Sequence, residues 1–298
     1  MLSSSKTVQA SEALSKSESL PTIIATKATE LSYLDYNKNA RALKKKEKQL
    51  ITREYNDSLC FVKQHDHARV ALDIFLLFSD EITYGLKNKT ELEYAIRNHD
   101  CGWIEYDKTP KTSDTNQVYT FQNMKQSLQE ELWLKSIANA IIPYSSLLIA
   151  EHFKALFSQS TSRRDVSKNS FNKKCEHMLS AIFLRRERPS INTDEFKIEL
   201  TLLQVCDLLS LILCREKSVD SSIIPPIYSF EGKTFNLYFH KLDDSVYQLP
   251  GGVLRSKTNI IEIPYKMIDK ELLLRPKQLK DEFREEKNLK FRRLHLVC

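Results

Sequence analysis

Only five of the 298 residues are glycine, where average usage of roughly 7% would give about 21. No other single feature constrains the chain as much. Dinucleotide-binding turns and phosphate-cradling loops need glycine, because their backbone must approach the anion closely or take a positive φ. No G-x-G-x-x-G and no G-x-x-x-x-G-K-[ST] occurs, so both of those ways of holding a nucleotide are excluded. Whatever chemistry the chain performs must come from side chains.

Residues 1–48 read as a disordered extension. Seven serines fall in the first 19 positions, and the basic run Lys44, Lys45, Lys46 and Lys48 closes the segment. Residues 49–298 read as one folded domain. "QLITREYNDSLCFVKQ" predicts a small hairpin turning at Asn56-Asp57-Ser58. Six helical stripes follow. The first begins near Asp66 and carries Ala68, Ala71, Leu72, Phe75 and Leu76. The second opens with Thr90 and Glu93 as a capping box and aligns Leu92, Ala95, Ile96 and His99. A third covers about 126–141, and Pro143 starts a fourth with Leu148, His152 and Ala155 on one face. The fifth, about 168–186, aligns Phe171, Cys175, Met178 and Ile182. The sixth, about 193–214, aligns Phe196, Leu200, Leu203, Asp207, Leu211 and Cys214. Strand-like segments occupy 234–240, 245–250 and 259–265, and the last thirty residues read as a charged, peripheral tail. The expected fold is mainly α, a helical bundle with a small β appendage over about 230–265.

The informative anomaly is the set of polar residues standing on apolar stripes. Asp207 lies four residues from both Leu203 and Leu211, where an ionised carboxylate costs several kcal/mol unless compensated. His99, followed at once by Asp100, lies on the buried stripe of the second helix. His67 starts the first helix, and His152 faces inward on the fourth. Helix bundles build metal sites by converging such groups. Imidazole with carboxylate suits a divalent cation such as Mn, Fe, Zn, Ni or Mg. The plainer alternatives are hydrogen-bonded core histidines and an arginine-paired aspartate. His177, about 120° off the stripe of its own helix, is expected to face solvent.

At these residues the chain resembles known families. The order His67, His99-Asp100, Asp207 resembles the H…HD…D signature of the HD-domain superfamily of metal-dependent phosphohydrolases. A closer resemblance, from about 49 to about 285, is to DUF3891, a family of unknown function. It rests on Gln64-His65-Asp66-His67-Ala68, then His99-Asp100-Cys101-Gly102-Trp103 through Asp107 and Pro110, then His152, then Asp207-Leu208-Leu209-Ser210-Leu211. The resemblance implies His67, His99, Asp100 and Asp207 as metal ligands. It implies His152 as a further ligand or a group contacting phosphate or water, Asp66 as a supporting acid, Trp103 as a pocket wall, and Asp107 as a cap or supporting acid. Cys101 departs from the pattern, since relatives often carry an acid there. Gly102 is expected to end the second helix as a C-terminal cap and turn Trp103 toward the site.

The function expected from this is metal-dependent hydrolysis of a small phosphoester or nucleotide, with Asp100 and His152 handling protons. The alternatives are a non-catalytic fold with a structural or ligand-binding metal, and a binuclear iron oxygenase, which needs more ligands than are found. One metal is expected, with His152 as a partial second site. The net charge of +6, from 45 basic and 39 acidic residues, suits a small anionic substrate and falls short of a nucleic-acid binder's footprint. No apolar run reaches membrane-spanning length. Six cysteines without a C-x-x-C pair read as free thiols, so the cytoplasm is the expected compartment, with the nucleus as the alternative.

Overall fold

A computed structural model describes residues 52–113, 118–121, 123–160, 165–215, 224–285 and 288–298. The expected extension 1–48 lies outside the described residues. The hairpin is present, β1 (Thr52–Glu54) pairing antiparallel with β2 (Ser58–Phe61). The long helices are α1 (Gln64–Leu77), α2 (Lys89–Asn98), α3 (Gln126–Asn139), α4 (Pro143–Ser160), α5 (Asp165–Phe183) and α6 (Thr193–Arg215). Proline opens α4, where a missing N–H costs nothing. α6 is buried on nearly every side and packs against α1, α2 and α4. A helix apolar all round belongs at the centre of a core, and α6 serves as the spine on which the site is assembled.

A helical bundle with a small β appendage is not what the chain forms. After the short pair β3 (Ile227–Tyr228) and β4 (Thr234–Phe235), the strands β5 (His240–Asp243), β6 (Val246–Gln248) and β7 (Thr258–Asp269) lead to one more. The supposed tail contains β8 (Leu289–Val297), which lies between β7 and β6. The six-stranded order is β1-β2-β7-β8-β6-β5, mixed because β6 and β8 run parallel. The N-terminal hairpin and the C-terminal strand thus belong to one sheet. Tyr247, Ile261, Ile263, Leu294 and Leu296 from that sheet share a continuous core with Phe75, Ile149 and Leu203 from the helices. The sheet is therefore a full structural layer.

A second, smaller core joins Leu59, Phe61 and Ile268 to Leu279 and Phe283 of α7 (Pro276–Arg284). Buried Lys266 of β7 donates to the carbonyls of Glu282, Phe283 and Glu285. A cation there meets the negative end of the α7 dipole and satisfies carbonyls that the helix leaves open. No helix among the described residues is long and apolar enough to cross a membrane.

Candidate metal centre

α1 brings His67, the end of α2 brings His99 and Asp100, α4 brings His152, and α6 brings Asp207. These five meet inside the helical layer, with relative exposures of 0% for His67 and His152, 1% for His99, 3% for Asp100 and 4% for Asp207. The ring orientations are fixed locally. His67 Nδ1 donates to the Gln64 carbonyl, and His99 Nδ1 to the Ile96 carbonyl at 2.8 Å, each three residues back on its own helix. With Nδ1 carrying the proton, each Nε2 presents a lone pair inward.

Those lone pairs face one another and the carboxylates. His67 Nε2 is 3.2 Å from His99 Nε2 and 3.0 Å from Asp207 Oδ1, while His99 Nε2 is 3.4 Å from the same oxygen. Acceptors crowded in this way repel unless a proton or a cation sits among them. For ligand bonds of about 2.0–2.2 Å, neighbouring ligand atoms in tetrahedral or octahedral shells lie about 2.8–3.6 Å apart. The three separations fall in that range. Asp100 Oδ2, at 3.7 and 3.8 Å from the two imidazoles, stands just outside it. His67, His99 and Asp100 form one group able to hold a metal ion, and His99, His152 and Asp207 form another. The donor chemistry also fits, since Asp100 Oδ1 and both ring nitrogens of His152 are buried without a hydrogen-bond partner. His152 Nε2 lies 3.6 Å from Asp207 Oδ2, and its ring stands edge-on to that of His99 with centroids 5.5 Å apart. His177 is exposed, as its phase on α5 predicts.

Without a metal, protons take up the slack. Burial opposes charge on His99, but Asp100 and Asp207 outweigh it and push its pKa up to about 9. Burial alone would raise Asp207, but hydrogen bonds from His67 and His99 hold it below the usual carboxylate range. Burial raises Asp100 and pushes His152 down to about 3. The sign of the resulting pH dependence follows directly. A raised histidine pKa contributes stability that is complete below the unfolded value near 6.5 and is lost as pH rises through about 9. Chelator-treated protein is therefore expected to lose denaturant resistance between pH 6.5 and 9.5. Metal-loaded protein should lose less, because His99 is then held neutral in the folded state as well. Equal losses in urea titrations with and without metal would contradict the assignment.

Supporting residues are placed less uniformly. Asp107 is buried and accepts the His65 N–H at 3.1 Å, capping α1 from another element. Lys63, at the N-cap position, makes no side-chain bond of that kind. Burial holds the Asp107 pKa well above the carboxylate norm, against that hydrogen bond. Asp66 lies in the first turn of α1 and is outside both ligand groups. Trp103 is buried, but it packs in a satellite cluster with Met124 and Leu132.

Gly102 does not act as a left-handed cap, since its φ is not positive. It lies in a 3-10 turn, Cys101–Trp103, pressed so close to α3 that its N–H reaches Ser136 Oγ at 2.9 Å. The capping box at Thr90 is also not formed. The N-cap of α2 is Asn88, two residues earlier and without a side-chain cap, and Glu199 of α6 accepts the Asn88 N–H at 3.3 Å.

Two supporting groups went unassigned in the sequence. Gln64 donates to Asp100 Oδ2 at 2.8 Å and so aims that carboxylate. Glu199, two turns before Asp207, ties the ligand-bearing α2 to α6. Their positions three residues before His67 and eight before Asp207, on the same helix faces, are the signals that could have found them.

Comparison with known families gives one result. A family model described as a protein of unknown function, DUF3891, matches residues 50–270. No curated protein and no solved structure matches the chain.

Proposed function

The chain belongs to the DUF3891 family, and from that footing we propose that it is a metal-dependent phosphohydrolase acting on a small phosphoester or nucleotide. The observation that carries the proposal is the inward convergence of two imidazole lone pairs with the Asp207 and Asp100 carboxylates. The order of these residues also resembles the HD-superfamily signature. His67, His99, Asp100 and Asp207 would hold the ion, with Mn, Fe, Zn, Ni and Mg all compatible with the ligand set. A divalent cation in such a site supplies polarisation of a phosphoryl oxygen and acidification of water.

The chain's own residues have separable tasks. Gln64 orients Asp100, leaving Asp100 Oδ1 unpartnered to receive a proton. His152, with both ring nitrogens unpartnered beside Asp207, would accept and return a proton. The near-complete burial of the ligands favours one other reading. A closed shell is typical of structural metal sites, whereas catalytic sites keep an open position.

Protein purified without chelator should carry about one divalent metal per chain by elemental analysis. The loaded chain should hydrolyse at least one member of a phosphoester panel, and Asp100→Ala should lower that rate by at least about 100-fold. Metal-loaded wild-type protein inert on the whole panel would favour the structural reading. A metal-free wild-type chain that takes up no added cation would defeat both.

A further inference from the structure

We propose that Gln204 and His152 form an oxyanion-binding half of this centre, beside the cation ligands, and take an oxygen of the substrate's phosphoryl group. The inference rests on the phosphohydrolase reading and assigns it a residue that neither the family resemblance nor the ligand groups include. Gln204 is 1% exposed, and its amide nitrogen is buried without a hydrogen-bond partner. It lies three residues before Asp207 on α6, a spacing that places the two Cβ atoms on one helix face about 5–6 Å apart. Its neighbours Leu202, Leu203, Val205 and Cys206 are all buried. A leucine or methionine at position 204 would pack there without leaving a donor unmet, so the amide needs an acceptor that the protein itself does not provide.

The other donors of the centre are committed. The Nδ1 groups of His67 and His99 are tied to backbone carbonyls, and the Gln64 amide is spent on Asp100. His152 is the exception, both of its nitrogens being unpartnered. A phosphoryl group turned toward a cation by one oxygen has further oxygens that require N–H donors. In glycine-rich phosphate sites the backbone supplies them. This chain has no such loop, and an imidazole with a carboxamide can do the same work from helix side chains.

The test uses full-length protein loaded with Mn²⁺, with inorganic phosphate as the probe. Mn²⁺ affinity is read by electron paramagnetic resonance and phosphate affinity by calorimetry, for wild type, Gln204→Leu and Gln204→Met. Both variants should bind Mn²⁺ within about twofold of wild type, while their phosphate Kd rises by at least about tenfold. Without ligands, at least one variant should melt at or above the wild-type temperature, because an unmet buried donor has been removed. A glutamine with a purely structural role predicts the reverse, a lower melting temperature with unchanged phosphate affinity, and that result overturns the inference. So does Mn²⁺-loaded wild type that binds no phosphate. Failure of wild type to bind Mn²⁺ or any other divalent cation would overturn the metal centre itself, and the inference with it.

Discussion

Gly102→Ala is expected to destabilise the chain by about 3 kcal/mol or more, at or beyond the upper end of overpacking effects. A Cβ at this position would sit 2.2 Å from the Leu132 carbonyl oxygen, 2.7 Å from the Ser136 nitrogen and 2.9 Å from Ser136 Oγ. The first two are backbone atoms of a regular helix and cannot rotate away. Either the 3-10 turn lifts off α3 or α3 shifts against its own core. Lifting also costs the hydrogen bond from Gly102 N–H to Ser136 Oγ. For a chain of this size the loss corresponds to a fall of roughly 6–12 °C in melting temperature. Asp100 lies two residues away, so the same displacement should draw it from His67 and His99, and metal affinity should fall with stability. Thermal melts and a Mn²⁺ titration of the variant check both parts. A variant that melts with wild type would show that the turn does not press on α3 as described.

What could be read from the sequence divides along a physical line. Helix stripes are local, so Pro143 at the start of α4 and the burial of Leu92, Ala95, Ile96 and His99 on one face were legible. The metal-ligand candidates were legible for a related reason, since a charge on an apolar stripe is an energetic contradiction that demands a partner. β8 was not legible. Arg292 occupies the same face as buried Leu294 and Leu296, and it is there because its guanidinium donates to the Leu213 carbonyl at the end of α6. An inward arginine breaks the alternation that marks a strand, and the segment then reads as a charged tail. The helix caps failed for another reason. Asp107 and Glu199 cap α1 and α2 from remote elements, so no window around either helix start contains the capping group. Gln204 was silent because a neutral amide creates no charge contradiction, and its unmet hydrogen bond shows only in three dimensions.

Asp207→Asn is expected to remove metal binding and to cost the metal-free chain about 3–5 kcal/mol, the scale for breaking a buried ion pair from one side. The substitution keeps the shape and removes the charge, which isolates the electrostatic role. Asp207 Oδ1 faces His67 Nε2 at 3.0 Å and His99 Nε2 at 3.4 Å, and with no cation bound this carboxylate helps to push His99 up to about 9. An asparagine leaves His99 to share only Asp100, whose own pKa burial raises, so the imidazole must give up its proton or stay charged and poorly paired. Either course destabilises the fold. In the metal-loaded chain the effect should be larger. Groups that only orient a ligand are worth about 10–100-fold in metal affinity, and Asp207 belongs to one ligand group and lies 3.0 Å from His67 of the other, so more than about 100-fold is expected. The variant should then melt at the same temperature with and without added cation, while wild type rises on loading by mass action. Melting curves of the two proteins, each with chelator and with Mn²⁺, give all four values. If asparagine at 207 left both the metal-free stability and the cation-induced rise intact, the convergence of these side chains would have to be explained as an ordinary hydrogen-bonded core.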